Sequence, residues 1–132
     1  MQINREELAW AAGFFDGEGW VGVSNNYKDR CYLRLAIGQT QLQPLQRFQK
    51  AIGGLGRLGR SVNTSCKHGS WWKVNVSSFE HVQAVGAMLW PFLCEPKRVQ
   101  FAEALSKARF GSTHRDSRRS RVAWASRWVE RP

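Results

Sequence analysis

The sequence predicts an α+β fold in which a helix and a strand pair are followed by a second helix, a second strand pair and further helices. Residues 20–24 and 31–38 alternate between apolar and other side chains, as half-buried strands do. Residues 45–52 and 82–89 carry apolar side chains at helical spacing. The 132 residues are enough for one domain with a single core.

The first helix is predicted to begin near Arg5. Asn4 stands three residues before Glu7, so its side chain can cap the first turn while Glu7 reaches back. The helix is apolar on nearly every side, which predicts burial on all sides. One face is nearly without bulk and would allow a second backbone to approach closely; it consists of Ala9, Ala12, Gly13 and Asp16.

Gly17 and Gly19 are expected to end this helix, because glycine tolerates positive φ. Asp16 and Glu18 are then left at the end of a buried helix. Buried carboxylates need a metal ion or an Arg or Lys partner. An ordinary helix-ending turn is an equally good interpretation of the acid-Gly spacing.

The four predicted strands each have an apolar face and a second face. The strands lie at residues 20–24, 31–38, 56–62 and 70–77, and the apolar positions include Leu33, Leu35, Ile37, Val74 and Val76. The second face combines basic, aromatic and small residues without any acid, which suits a β-ribbon in a DNA major groove. Arg60 has the opposite parity to Arg57, so it needs a bulge or a phosphate contact at the sheet edge.

The remaining helices are predicted from start and stop signals. Thr40-Gln41 opens the second helix and Gly53-Gly54 ends it. Ser77-Ser78-Phe79-Glu80 is a capping-box pattern for the third helix, and Pro91 interrupts that helix. A further helix is predicted to start at Glu95, with Val99, Ala102 and Leu105 facing inward.

Positive charge is concentrated in the middle of the chain. The formal net charge is +10, and residues 30–79 contain no Asp or Glu. An acid-free basic segment of this length indicates a surface that binds a polyanion, with an ordinary solvated surface as the alternative. An anionic membrane is a less suitable partner, because the sequence has no long basic amphipathic helix or lipidation motif.

The cysteine pattern predicts neither a zinc site nor a disulfide framework. Cys31, Cys66 and Cys94 are odd in number and widely spaced. There is no signal-peptide pattern and no apolar run near 18 residues. We therefore expect a soluble, intracellular protein with reduced thiols and no membrane partner.

The run Ala11-Ala12-Gly13-Phe14-Phe15-Asp16-Gly17-Glu18-Gly19 resembles the signature of LAGLIDADG homing endonucleases, in the variant A-G-F-F-D-G-E-G. The predicted order of elements resembles that family's αββαββα core over residues 4–110. The resemblance implies a concave antiparallel sheet that binds double-stranded DNA. It also implies that the last acid of the motif, Glu18, binds a catalytic Mg²⁺ or Mn²⁺ ion with help from the Gly17 backbone, with no other cofactor.

The resemblance also implies further site residues. Lys97 matches a basic residue near the scissile phosphate, although the register leaves Arg98 as an alternative. Gln41 matches a residue that organises water or the metal shell, and Asp16 belongs to the same catalytic set. The family's Arg one turn after this Gln falls near Leu45, where Arg47 could substitute. The expected DNA-binding residues are Ser24, Asn26, Lys28, Arg30, Tyr32, Arg34, Arg57, Arg60, Lys67, Trp71 and Lys73.

Two motif helices are needed in the family, but this chain has only one. After Glu18 the only Asp residues are Asp29 and Asp116, and neither precedes Gly. We therefore expect a homodimer with an interface at Ala9, Ala12 and Gly13.

The predicted function is site-specific, metal-dependent cleavage of both strands of a long, nearly palindromic DNA site. The alternatives are a catalytically inactive DNA-binding protein or an intron RNA maturase of the same fold, and charge alone would also suit a structural RNA-binding protein. The predicted core is residues 1–110. Residues 111–132 form a basic tail in which Trp124 and Trp128 could lie on one face of a short docking helix, unless the tail is disordered.

Overall fold

The computed structural model describes residues 2–25, 31–62 and 70–111. The order of elements confirms the predicted αββαββα core, which a 3-10 turn at Trp90–Phe92 and a last helix follow. The elements are α1 (Arg5–Glu18), β1 (Gly19–Asn25), β2 (Cys31–Gln39), α2 (Leu42–Ala51), β3 (Arg57–Val62), β4 (Ser70–Val76), α3 (Phe79–Leu89) and α4 (Glu95–Gly111). The predicted tail after Gly111 lies outside the described residues.

The N-terminal cap of α1 forms as predicted, but with one different partner. The Asn4 Oδ1 atom accepts hydrogen bonds from the backbone N–H groups of Glu6 and Glu7 at 2.8 and 3.2 Å. The Glu7 carboxylate does not complete a capping box. It instead accepts two hydrogen bonds from the Arg47 guanidinium on α2, at 2.8 and 2.9 Å, because this charged partner from another helix is within reach.

Helix α1 is buried on one side only, whereas the sequence predicted burial on all sides. Leu8, Ala11, Ala12 and Phe15 are buried in the core, whereas one side of the helix is open. The exposed side carries Ala9, Gly13 and Gly17. The prediction that Ala12 faces a second subunit is wrong, because Ala12 is 0% exposed within its own chain.

The four strands form one antiparallel sheet in the order β1-β2-β4-β3. One face, here called the helix face, packs against all four helices. The parity of the strand residues is as predicted, since the positions predicted to face the core lie on this face. Its apolar residues include Val21, Val23, Leu33, Leu35, Ile37, Leu58, Trp72, Val74 and Val76.

The predicted core positions of α2 and α3 are buried, and the N-cap of α3 is Ser78 rather than Ser77. The inward side of α4 was predicted only in part. Leu105 is buried as predicted and Ala102 is half-buried, but Val99 is 48% exposed, and the buried stripe also contains Phe101, Ala104 and Ala108. The large Phe101 ring packs on Phe15 with centroids 5.5 Å apart. That contact sets which side of α4 faces the core.

Gly17 lies inside α1, so the prediction that it breaks the helix is wrong, and Gly19 follows the helix without the predicted positive φ. Its φ of −87° is ordinary extended backbone, not the left-handed region. A Cβ atom at Gly19 would instead lie 2.1 Å from the Phe15 ring. Phe15 is 0% exposed and also stacks on Phe48, with centroids 6.3 Å apart. The ring therefore has no room to move away.

Replacing Gly19 with Ala is expected to lower the free energy of unfolding by about 1–3 kcal/mol, the usual range for an overpacked core. The measurement is urea denaturation followed by circular dichroism. Gly59→Ala is the control, because a Cβ at Gly59 has no atom within 4 Å. The control should keep or slightly raise stability. If the two variants are equally stable, the Phe15 ring can move to make room for the added methyl group.

Candidate functional site

The sheet surface opposite the helix face is called the open face. Register places these residues on it: Trp20, Gly22, Ser24, Tyr32, Arg34, Ala36, Gly38, Arg57, Gly59, Trp71, Lys73 and Asn75. Six of the expected DNA-binding residues are among them, namely Ser24, Tyr32, Arg34, Arg57, Trp71 and Lys73. Asn26, Lys28, Arg30 and Lys67 lie outside the described residues. The described part of the open face contains no carboxylate.

Arg60 lies on the other side of the sheet. The pairing of β3 with β4 runs without a bulge from Arg57 opposite Asn75 to Val62 opposite Ser70. Arg60 therefore shares the helix face with Trp72, and its guanidinium carbon is 5.9 Å from the centre of that ring. Of the two possibilities that the sequence left for Arg60, only a contact at the sheet edge remains.

The basic residues in the middle of the open face are close together. The Asn75 Oδ1 atom accepts hydrogen bonds from Nε and Nη2 of Arg34 at 3.2 and 2.9 Å. Burial lowers the pKa of Lys73, and the positive charge of Arg34 lowers it further. The Lys73 ammonium also lies 5.5 Å from the centre of the Trp71 ring. Two neighbouring cations without a carboxylate make this region attractive to an anionic or acceptor-rich ligand.

Two tryptophan rings lie close against glycines on the open face. A Cβ atom at Gly22 would be 2.4 Å from the Trp20 ring, and one at Gly38 would be 2.2 Å from the Trp71 ring. Trp20 remains 41% exposed and Tyr32 40% exposed. The glycines let the rings lie along the sheet. The open face thus offers flat aromatic surfaces between its basic groups.

A second group of residues lies at the C-terminal end of α1. Glu18 is the last residue of the helix and is exposed, contrary to the predicted burial of the acid pair. The Lys97 ammonium donates a hydrogen bond to the carbonyl oxygen of Gly19 and lies 5.6 Å from the centre of the Phe15 ring. Lys97 is thereby fixed beside the residue that follows Glu18.

Gln100 links Lys97 to β1 through hydrogen bonds, and this role was not predicted from the sequence. Its Oε1 atom accepts hydrogen bonds from the Lys97 ammonium at 3.2 Å and from the Val21 backbone N–H at 3.3 Å. Lys97 and Gln100 are one helical turn apart, so their side chains can meet. That spacing was the available signal, but the contact with β1 could not be read from it.

The two alternative arginines are occupied elsewhere. Arg98 donates to the carbonyl oxygens of Trp90 and Pro91 at 3.0 and 3.3 Å, so it fastens the 3-10 turn. Arg47 pairs with Glu7 and lies 4.0 Å from the centre of the Trp10 ring. Its hydrogen bonds lower the pKa of Glu7. Lys97 is therefore the basic residue of α4 that this geometry brings to the end of α1.

Solved structures with the same architecture are DNA-bound homing endonucleases. I-CvuI in complex with its target is 16% identical, with a TM-score of 0.54 over 92% of this chain and 96% of that chain. I-SmaMI bound to cleaved DNA is 20% identical, with a TM-score of 0.57 over 98% of this chain and 41% of that chain. I-CpaMI, a LAGLIDADG meganuclease bound to uncleaved DNA, is 17% identical, with a TM-score of 0.55 over 97% of this chain and 41% of that chain.

The chain has the LAGLIDADG homing endonuclease fold. The element order, the sheet and the predicted resemblance agree on this point. No protein-family model and no curated protein matches the sequence.

Asp16 contributes to the LAGLIDADG fold through a contact that the sequence did not predict. Its carboxylate accepts hydrogen bonds from the backbone N–H of Cys94, at 3.2 Å to each oxygen. Cys94 directly precedes α4, so Asp16 anchors the start of that helix to the end of α1. The thiol of Cys94 also hydrogen-bonds to Asp16, and this bond raises the pKa of Cys94. The Asp16 carboxylate, which was predicted to be catalytic, is therefore already engaged in these hydrogen bonds.

The other predicted site residues have simpler surroundings. Gln41 is the exposed N-cap residue of α2, and its side chain forms no capping hydrogen bond. Gly17 is exposed next to Glu18. Within the described ranges, no three His, Cys, Asp or Glu side chains are grouped as a metal site. In the same ranges, no helix has the length and apolar character needed to cross a membrane.

Replacing Asp16 with Asn is expected to speed the alkylation of Cys94 by iodoacetamide at pH 8. A raised pKa keeps the thiol protonated to higher pH, and only the thiolate reacts. Removing the carboxylate lowers this pKa and increases the thiolate fraction. Asn remains a hydrogen-bond acceptor, so the start of α4 should persist.

The rate is measured by mass spectrometry of the peptide that contains Cys94. Both proteins should react at the same rate in urea, where the Asp16 contact is lost. An unchanged rate in the folded state would show that Asp16 does not control this thiol.

Proposed function

We propose that this chain is a LAGLIDADG homing endonuclease that cleaves both strands of a specific DNA site as a homodimer. The observation that carries the proposal is the placement of Lys97 beside the exposed end of the motif helix, where Glu18 lies. A basic group and a free carboxylate at one helix end are suited to bind a phosphodiester and a divalent metal ion. The basic open face supports DNA as the substrate.

The open face would lie in the major groove of the substrate. A two-stranded or broader β-ribbon fits this groove, where side chains can reach base edges. Arg34, Arg57 and Lys73 supply positive charge toward DNA. Asn26, Lys28, Arg30 and Lys67 remain predicted contacts in the segments that connect the strands, and Arg60 a predicted phosphate contact at the edge.

The dimer is proposed to form through the exposed side of α1. Ala9 and Gly13 are on this side with Gly17, and neither Gly13 nor Gly17 would place a Cβ within 4 Å of another atom. Small residues allow two helices to approach closely. The chain covers nearly all of I-CvuI but about two fifths of I-SmaMI. A chain with one such unit would need a second copy to act on two strands.

The metal site is proposed to use Glu18 of each subunit, together with the backbone at Gly17. The exposed carboxylate fits Mg²⁺ or Mn²⁺, since these ions prefer oxygen ligands. The structures of I-CvuI were obtained with Ca or Mg. Such an ion would stabilise negative charge on the oxygens at the cleaved bond. Lys97 would neutralise charge on the phosphate, and Gln41 would orient the attacking water.

Replacing Glu18 with Gln is expected to lower the rate of cleavage by on the order of 10³-fold, because the neutral amide is a poor metal ligand. Lys97→Met is expected to lower it by about 10²-fold. Binding of the same duplex should change little in both variants. The measurements are single-turnover cleavage in Mg²⁺ and a gel-shift titration, on a site selected from a random duplex library with the wild-type protein.

Glu103→Gln is the matched control, because Glu103 is an exposed carboxylate on α4 away from the end of the motif helix. It should cleave at the wild-type rate. Normal cleavage by Glu18→Gln would refute the assigned ligand. Binding without cleavage by the wild-type protein would favour the inactive DNA-binding alternative, and preference for intron RNA over duplex DNA would favour the maturase.

Replacing Gly13 with Leu is expected to convert the dimer to a monomer at micromolar concentration. The added side chain would stand where the second helix must approach, whereas the chain itself has open space at this position. Sedimentation velocity measures the change. Ala87→Leu is the control, because Ala87 is an exposed small residue on a different helix, α3. A dimeric Gly13→Leu protein would place the interface elsewhere.

A further inference from the structure

We propose that Arg34, positioned by Asn75, recognises a guanine in the major groove of each half-site. This inference rests on the proposed function, because it assigns one base to one residue of the DNA-binding face. It goes further in naming the base, the atoms that would contact it and a positioning residue. Asn75 was not among the expected binding residues.

The hydrogen bonds of Arg34 use one edge of its guanidinium group. A guanidinium carries five N–H groups, one on Nε and two on each Nη atom. Asn75 accepts from Nε and from Nη2. This leaves the edge formed by Nη1 and the second Nη2 hydrogen available for a ligand. Two parallel donors on one edge can form a bidentate pair with two adjacent acceptors.

Guanine offers the matching pattern among the four bases. Its major-groove edge presents the adjacent acceptors O6 and N7, whereas adenine presents one acceptor and one donor. Cytosine presents a donor, and thymine a single acceptor with a methyl group. An arginine with a free two-donor edge therefore distinguishes guanine from the other bases in this groove.

The position of Arg34 in the sheet favours a fixed orientation. Arg34 and Asn75 lie on the paired strands β2 and β4, so a rigid part of the fold holds both ends of their contact. Gly22 is directly opposite Arg34 on β1, and the Trp20 ring lies against that glycine. A half-buried arginine with a fixed partner loses less conformational freedom on binding than a free one does.

The electrostatics of the site also favour an acceptor-rich ligand. Burial lowers the pKa of Lys73, and the nearby charge of Arg34 lowers it further. Asn75 accepts hydrogen bonds but carries no charge, so it orients Arg34 without neutralising it. A carboxylate at this position would occupy the guanidinium more strongly and compete with a base.

Arg57 provides a matched comparison on the same face. It lies directly opposite Asn75 on β3 and is exposed. An exposed arginine near the sheet edge is suited to a phosphate contact, which adds affinity without reading sequence. Loss of Arg57 should therefore weaken binding to all duplexes alike. Loss of Arg34 should remove a preference at one position.

The experiment selects bound sites from a random duplex library with the wild-type protein in EDTA, so that no cleavage occurs. Each guanine of the selected site is then replaced by 7-deazaguanine, which lacks the N7 acceptor but still pairs with cytosine. Binding is compared for the wild-type protein, Arg34→Ala, Asn75→Ala and Arg57→Ala. Circular dichroism confirms that each variant is folded.

At one guanine in each half-site, the 7-deaza substitution should weaken wild-type binding about tenfold, within the range for a bidentate base contact. Arg34→Ala loses the same single charge as Arg57→Ala but removes every donor to the base, so it should bind both duplexes equally. Asn75→Ala should lose most of the discrimination while keeping the salt dependence of binding. Arg57→Ala should keep the tenfold discrimination at lower affinity.

Different failures of this experiment have different meanings. If Arg34→Ala still discriminates at the guanine where the wild-type protein does, or if the selected half-site has no guanine, the assignment to Arg34 is overturned while sequence-specific DNA binding stands. If Asn75→Ala discriminates as well as the wild-type protein, Asn75 is not a positioning residue. If the wild-type protein selects no duplex sequence, the proposed function and this inference both fail.

Discussion

The buried ring of Phe15 connects the parts of the molecule that form the candidate catalytic site. It packs against Phe48 of α2 and Phe101 of α4, and its edge fills the space where Gly19 lacks a side chain. The Lys97 ammonium lies over the same ring. One aromatic side chain thus fixes how α4 is rotated and where β1 leaves α1. Lys97 lies beside the residue that follows Glu18 because both α1 and α4 pack on Phe15.

The sheet separates stability from recognition by the alternation of its side chains. Apolar residues of one parity, such as Leu35 and Val74, are buried beneath the helices. Residues of the other parity do not pack against the helices, and several of them supply charge or aromatic surface. Arg60 illustrates the constraint, since a shift of three positions from Arg57 moves it to the opposite side of the sheet. An exposed residue of the open face such as Arg57 can therefore change without a change in the buried core.

The sequence was sufficient for features that depend on neighbours along the chain. The Asn4 cap, the alternation in β2 and the apolar stripes of α2 and α3 follow from local spacing, and the structure confirms them. Features that depend on distant partners were predicted less well. Spacing alone placed Val99 inward, because the contact between Phe101 and Phe15 that rotates α4 joins residues far apart in sequence.

The partners of several polar side chains were also not predicted, because those partners are far away in the sequence. Glu7 was expected to bond within its own helix, but Arg47 competes for it from α2. Spacing alone does not distinguish Asp16 from Glu18, and only the family resemblance assigned the metal to Glu18. The structure separates their surroundings, because Asp16 holds Cys94 at the start of α4 and Glu18 is exposed at the end of the helix. Gln100 had no local signature beyond its spacing from Lys97, since its second partner lies on β1.

The exposed side of α1 poses a question that the isolated chain does not answer. Gly13 lies inside a helix, where glycine is less stable than alanine by about 1 kcal/mol. Among the described residues, no atom stands within 4 Å of a Cβ at this position, and the backbone of Gly13 is helical, so neither crowding nor strain within them requires glycine. Gly19 differs, because the Phe15 ring excludes a side chain there. The proposed close approach of a second α1 helix would give Gly13 a role that these contacts do not.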